Sequence, residues 1–111
     1  MACREEGSGT RGAFEELVMN KQEIDDGIMV QDSNGSVKEV VATDPYAIGY
    51  VSLGMVDERV AAVSIDGVAP TAKAIKKKSY KIVRPFLYLI NGTPTEDAQI
   101  FIDYVLSKDG Q

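Results

Sequence analysis

Between Arg4 and Arg11 the chain reads Arg-Glu-Glu-Gly-Ser-Gly-Thr-Arg, a guanidinium followed by two hydroxyls set among glycines, where a helical pattern begins. These are residue types that hold an oxyanion. Arg4 can present two parallel N–H groups to two oxygens, Ser8 and Thr10 each offer a hydroxyl, and Gly9 lets main-chain N–H groups approach closely. The helix start adds N–H groups without intrahelical partners and the positive end of the dipole. Glu6 is expected to pair with Arg4 and orient it. The spacing admits a plainer arrangement equally well, in which Ser8 or Thr10 only caps the helix and Arg4 and Glu6 form a surface ion pair worth little.

Other chemistries fit less well. Gly7, Gly9 and Gly12 satisfy G-x-G-x-x-G, but Arg4, Glu5 and Glu6 stand where a dinucleotide site needs a buried strand. The same glycines begin a P-loop pattern, yet Ala13 and Phe14 occupy the positions of its lysine and hydroxyl, which argues against nucleotide hydrolysis. Ser8 has no histidine to serve as its base, because the chain contains none, and Glu6 breaks the G-x-S-x-G elbow. No catalytic residue, metal set or cofactor is expected, so the chemistry is stoichiometric binding. Cys3 is the only cysteine, which rules out an internal disulfide and reads as an ordinary small side chain.

The elements that must position these residues follow from periodicity. Phe14, Leu17 and Val18 recur at helical spacing over about 9–20, so an amphipathic helix starts at the Ser-Gly-Thr run. Ile28 and Val30 suggest a short strand ending at Asp32-Ser33-Asn34-Gly35, and a short helix follows from about Ser36 to Ala42, closed by Asp44-Pro45. Tyr46–Leu53 and Val60–Ile65 read as strands, with Gly49 marking a bulge or close backbone approach and Asp66-Gly67 a tight turn. Thr71–Lys77 suggests one or two helical turns. Lys81–Ile90 is the most apolar strand-like stretch, interrupted by Pro85. Thr93-Pro94-Thr95-Glu96 matches a capping box for a last helix whose stripe is Ala98, Phe101, Ile102, Val105 and Leu106. Alternating helices and strands imply an α/β fold.

With 111 residues, 44% of them apolar, the chain fits one small domain with a modest core. A net charge of −5 disfavours nucleic acid and anionic membranes as partners, and makes the lysines at 73, 76, 77, 78 and 81 a solvated face. No apolar run approaches the roughly 20 residues of a membrane-spanning helix, and no leader pattern is expected among these residues. Asn34-Gly35-Ser36 and Asn91-Gly92-Thr93 match glycosylation sequons but read better as turns feeding helix caps.

Five separated segments resemble, in family order, the phosphate-binding proteins of ABC transporters, in the type II periplasmic-binding-protein superfamily. They are 4–11, Ala-Ile-Gly-Tyr-Val-Ser-Leu-Gly at 47–54, Ser-Ile-Asp-Gly-Val-Ala-Pro-Thr at 64–71, Ile-Val-Arg-Pro-Phe-Leu-Tyr-Leu at 82–89, and 101–111. The resemblance implies a periplasmic-binding-protein type II-like lobe, a mixed sheet flanked by helices. It implies that Arg4, Ser8, Gly9 and Thr10 bind inorganic phosphate, with Glu6 as the acidic neighbour of Arg4. Family members close two lobes over the ligand, and the other lobe supplies an aspartate that takes the phosphate proton and rejects sulfate. The chain therefore reads as a carboxy-terminal segment of such a receptor. Residues 1–67 are expected to belong to the second lobe and 68–111 to return toward the first, with repacking or homo-oligomerisation covering the tail. The permease of an ABC transporter would be the partner, in a periplasmic or extracytoplasmic location. The alternative is a small protein-interaction or oligomerisation module without independent ligand binding.

Overall fold

The computed structural model describes every residue from Met1 to Gln111. Its elements are β1 (Ala2–Arg4), α1 (Gly9–Leu17), β2 (Met29–Gln31), α2 (Asn34–Thr43), α3 (Ala72–Lys76) and α4 (Glu96–Leu106), with one 3-10 turn at Leu53–Met55. β1 and β2 pair in parallel, with Ala2 opposite Met29, Cys3 opposite Val30 and Arg4 opposite Gln31. On the other edge of β1 the Ala2 N–H donates to the Ile48 carbonyl at 2.8 Å, and Ala2 forms an isolated parallel bridge to Gly49. The α/β class stands. The expected mixed sheet is instead a two-stranded parallel sheet with a single bridge beside it.

Local chemistry explains the helices. Ser33 caps α2 by accepting from the Ser36 N–H at 3.0 Å, and Asp44-Pro45 follows its last turn. Thr71 caps α3, accepting from the Ala74 N–H at 3.1 Å. The N-cap of α4 is Thr95, which accepts from the Ala98 N–H at 3.3 Å. Thr93 was the expected cap, with Pro94 as first helical residue. Starting two residues later places Glu96 and Asp97 in the first turn, where the helix dipole favours them, and leaves Pro94 outside.

The core is smaller than composition suggests: only Ala2, Cys3, Ile24 and Val37, 4 of 111 residues, are buried. Val37 brings α2 onto the sheet beside Gly49. A Cβ on Gly49 would stand 2.7 Å from Val37 Cγ1 and 3.2 Å from the Ala2 carbonyl oxygen, so the close approach expected there is real. Asp66 and Gly67 adopt φ of 51° and 77°, and Ile65 and Val68 exchange two hydrogen bonds of 2.9 Å, which makes a two-residue hairpin turn.

Three expected strands do not form. Residues 46–53 keep one bridge, 60–65 keep only the hairpin pairing of Ile65, and 81–90 make no backbone hydrogen bonds with one another or with the rest of the chain. A strand needs a neighbour to satisfy its N–H and C=O groups, and no sheet edge lies beside 81–90. Nor does the tail repack onto the sheet, as Phe86 is 99% exposed and Leu89 89%. Its one aromatic contact is internal, Tyr88 edge-on to Phe101 at 6.1 Å.

Candidate anion site at the start of the first helix

β1 delivers Arg4 to the end of the sheet, and the chain then turns sharply into α1. Glu5, Glu6, Gly7 and Ser8 form the turn, closed by the Ser8 N–H donating to the Glu5 carbonyl at 3.3 Å. Gly7 sits at φ +80°, a backbone conformation other residues rarely adopt, so the glycine is what allows strand and helix to meet at this angle.

At the start of α1 the Ser8 Oγ accepts from the Arg11 N–H at 3.3 Å, and the Ser8 carbonyl accepts from the Gly12 N–H at 2.9 Å. The capping arrangement is therefore present. It does not compete with anion binding, because a hydroxyl that accepts with its oxygen still has a proton to donate. As the first residues of the helix, Gly9 and Thr10 have N–H groups with no intrahelical acceptor. The Thr10 side chain is half-buried at the same end.

Arg4 is held by Glu5, and this corrects the expected pairing with Glu6. Its Nε and Nη2 donate to the two carboxylate oxygens of Glu5, each at 2.8 Å, a bidentate fork. The strand stops at Arg4 and the turn folds the Glu5 carboxylate back over the guanidinium, while Glu6 lies exposed at the corner of the turn. The Arg4 side chain is 14% exposed, so the pair is partly screened from water. The hydrogen bonds from Arg4 hold the Glu5 carboxyl far below the usual range, lowered to about 2, with a smaller contribution from its own backbone N–H. The same pair raises the Arg4 pKa, so its charge is permanent at any working pH. Two of the five guanidinium N–H groups are used on Glu5 and three remain.

Side chains distant in sequence fix this end of β1. The Arg4 N–H donates to the Tyr50 hydroxyl at 3.1 Å, and the Tyr50 ring stacks on Phe14 of α1 with centroids 4.3 Å apart and planes at 13°. Burial pushes the Tyr50 phenol up, and the bond from Arg4 N–H partly offsets this. Arg11 Nη1 donates to the Arg4 carbonyl at 3.3 Å while its Nε pairs with Glu15 at 2.7 Å. From the returning tail, Arg84 Nη1 donates to the carbonyl of Gly9. Arg4 thus ends β1, and Ser8, Gly9 and Thr10 lie at the start of α1 just across the turn, with the Arg4 guanidinium engaged by Glu5. Of the groups that sequence reasoning missed, only Arg11 with Glu15 had a local signal, the i, i+4 spacing. Glu5 stands next to Arg4 in the run, where the turn and not the spacing chooses it over Glu6, and nothing in the spacing links Tyr50 or Arg84 to the run.

The family model described as a PBP superfamily domain matches residues 2–109. The phosphate-binding protein PstS 2 of Streptococcus agalactiae is 48% identical over 121 residues, which takes in 100% of this chain and 41% of that protein. The phosphate-binding protein PstS of Bacillus subtilis is 38% identical over 109 residues, 97% of this chain and 36% of that one. Among solved structures, a substrate-binding protein ascribed to a phosphate ABC transporter of Clostridium perfringens, with phosphate bound, superposes with a TM-score of 0.86 at 40% identity, covering 99% of this chain and 46% of that chain. A phosphate-binding protein of a Streptococcus pneumoniae phosphate ABC transporter superposes with a TM-score of 0.81 at 34% identity, covering 98% and 46%. The chain spans about two-fifths of the length of the curated relatives it matches.

Proposed function

The chain belongs to the PBP superfamily, and from that membership we propose that it is the part of a phosphate-binding receptor for ABC-type uptake that supplies half of the phosphate site. The observation that carries this reading is the junction of β1 and α1, where Arg4, partly screened from water, ends the strand four residues before a helix start with free N–H groups and two hydroxyls. Arg4 contributes a permanent charge and unused donors. Ser8 and Thr10 contribute hydroxyl protons, and Gly9 and Thr10 contribute main-chain N–H groups. Glu5 fixes the guanidinium plane, the role first expected of Glu6.

In this reading the protein binds and releases its ligand without turnover, and residues 68–111 return to the lobe that carries the remaining contacts. The working partner is a transporter permease, and the location is extracytoplasmic. Support comes from the names of the relatives, all phosphate-binding, and from the phosphate in the C. perfringens structure. Titration calorimetry with inorganic phosphate on the receptor carrying this chain is the test. Arg4→Ala should weaken binding by at least about a hundredfold, because a desolvated charge-assisted pair is lost. Unchanged affinity would sink the assignment.

The exposed apolar residues of the tail favour a second reading, a protein-interaction or oligomerisation module. A dimer that forms with rising concentration, binds no phosphate in any context and is unaltered by Arg4→Ala would establish it.

A further inference from the structure

Gly9 and Gly12 belong to a glycine pattern that the phosphate reading leaves half unused, since it assigns a role to Gly9 alone. In the folded chain these two glycines face the same group. A Cβ on Gly9 would stand 3.5 Å from Arg84 Nη1, and one on Gly12 would stand 3.7 Å from the same atom. Residues three apart on a helix share a face, so the pair leaves a shallow slot along the first turn of α1. The Arg84 guanidinium lies in it and donates to the Gly9 carbonyl, a contact spanning 75 residues of sequence. Arg84 belongs to the tail segment 81–90, which has no backbone hydrogen bond. Its side chain is therefore a hydrogen-bonded tie between that segment and the helix start. Leu or Lys at position 12 would place a long side chain beside the guanidinium, whereas glycine leaves the face open.

We infer that Arg84 is a positioning residue for the candidate anion site, a latch whose guanidinium seats between Gly9 and Gly12 and ties the returning tail to the first turn of α1. The Gly9 carbonyl it engages lies in one rigid peptide plane with the Thr10 N–H, one of the proposed phosphate donors. Movement of the tail is thereby linked to the placement of that donor. The inference rests on the phosphate reading for its functional consequence and on the Arg84 contact alone for the latch.

The test has two arms. In the first, a nitroxide is attached to Leu89→Cys in a Cys3→Ala background, and paramagnetic broadening of the Gly9, Thr10 and Gly12 amide signals is recorded. Arg84→Ala should abolish most of that broadening, Arg84→Lys should restore much of it by keeping a cationic donor, and Gly12→Ile should abolish it with Arg84 intact. Broadening unaltered by Arg84→Ala overturns the latch. In the second, inorganic phosphate is titrated into the receptor carrying this chain. Arg84→Ala should weaken binding about fivefold, the consequence of losing one hydrogen bond that positions a donor, with Arg84→Lys close to the parent. If Arg4→Ala abolishes binding while Arg84→Ala leaves it untouched, the positioning role is overturned and the phosphate reading survives. If Arg4→Ala has no effect, the phosphate reading fails, and the first arm still decides the latch.

Discussion

Arg4 shows how a single side chain depends on its immediate neighbours. A guanidinium bound by one carboxylate keeps donors in reserve and loses freedom to swing, so it would meet the proposed anion already oriented. The partner is Glu5, and the pair makes a pH prediction. Because the Glu5 carboxyl is held at about 2, below its ordinary 4.5, its favourable interaction is fully present above pH 4.5 and is lost as pH falls through about 2. Carbon-detected NMR titration should place the Glu5 midpoint near 2, and Arg4→Ala should return it toward 4.5. A midpoint that does not move on removal of Arg4 would separate the two groups. Tyr50 is the other single-residue test. Tyr50→Phe keeps the stack on Phe14 but deletes the acceptor of the Arg4 N–H, which should cost about 1 kcal/mol in denaturant unfolding. A loss as large as that of Tyr50→Ala would mean that the hydroxyl, not the ring, carries the contact.

Among elements, the decisive contact is the crossing of α2 over β1 and residues 48–49. Val37 is fully buried there, and the chain passes under it at Gly49. Gly49→Ala puts a methyl 2.7 Å from Val37 Cγ1 and 3.2 Å from a backbone oxygen, so either the helix or the strand must shift. The expected cost is about 1–3 kcal/mol by equilibrium unfolding. Pairing with Val37→Ala should recover part of it, since removing the methyls makes room. Helices are more legible in this sequence than strands. A helix satisfies its own backbone, and its caps are local, as Ser33, Thr71 and Thr95 show. The stretches at 46–53 and 81–90 carry strand-forming residues yet form no strand, because pairing requires an edge supplied from elsewhere.

At the scale of the whole molecule, the chain has more surface than its mass requires. It exposes 8604 Å², against about 6,000 Å² for a compact monomer of this size. Its radius of gyration is 16.5 Å, against about 13 Å for a compact domain of this length. The excess lies largely on the tail, where Phe86, Leu87 and Leu89 are each at least 75% exposed and α4 has no buried residue. Exposed apolar side chains in this number drive association in water. The chain by itself is expected to self-associate with rising concentration in sedimentation velocity and to bind an apolar fluorescent dye. Phe86→Ser with Leu89→Ser should reduce both. A monomer at all concentrations without dye binding would show that the tail folds back in solution. In the longer receptor proposed above, the same surface is expected to be covered and dye binding lost.

The Ser8 cap, the glycine turn before it and most helical boundaries are legible in the residues alone, because hydroxyl caps, glycine turns and apolar stripes act within a few residues of one another. The run from Arg4 to Thr10 reads as a candidate oxyanion cradle for the same reason, its residue types being local neighbours. Only the tertiary structure decided which acid holds Arg4, that Tyr50 and Phe14 brace the strand against the helix, and that Arg84 lies on the Gly9 and Gly12 face. Those choices depend on where a turn points a side chain and on contacts between residues far apart in sequence, up to 75 residues for Arg84 and Gly9, for which no local spacing codes.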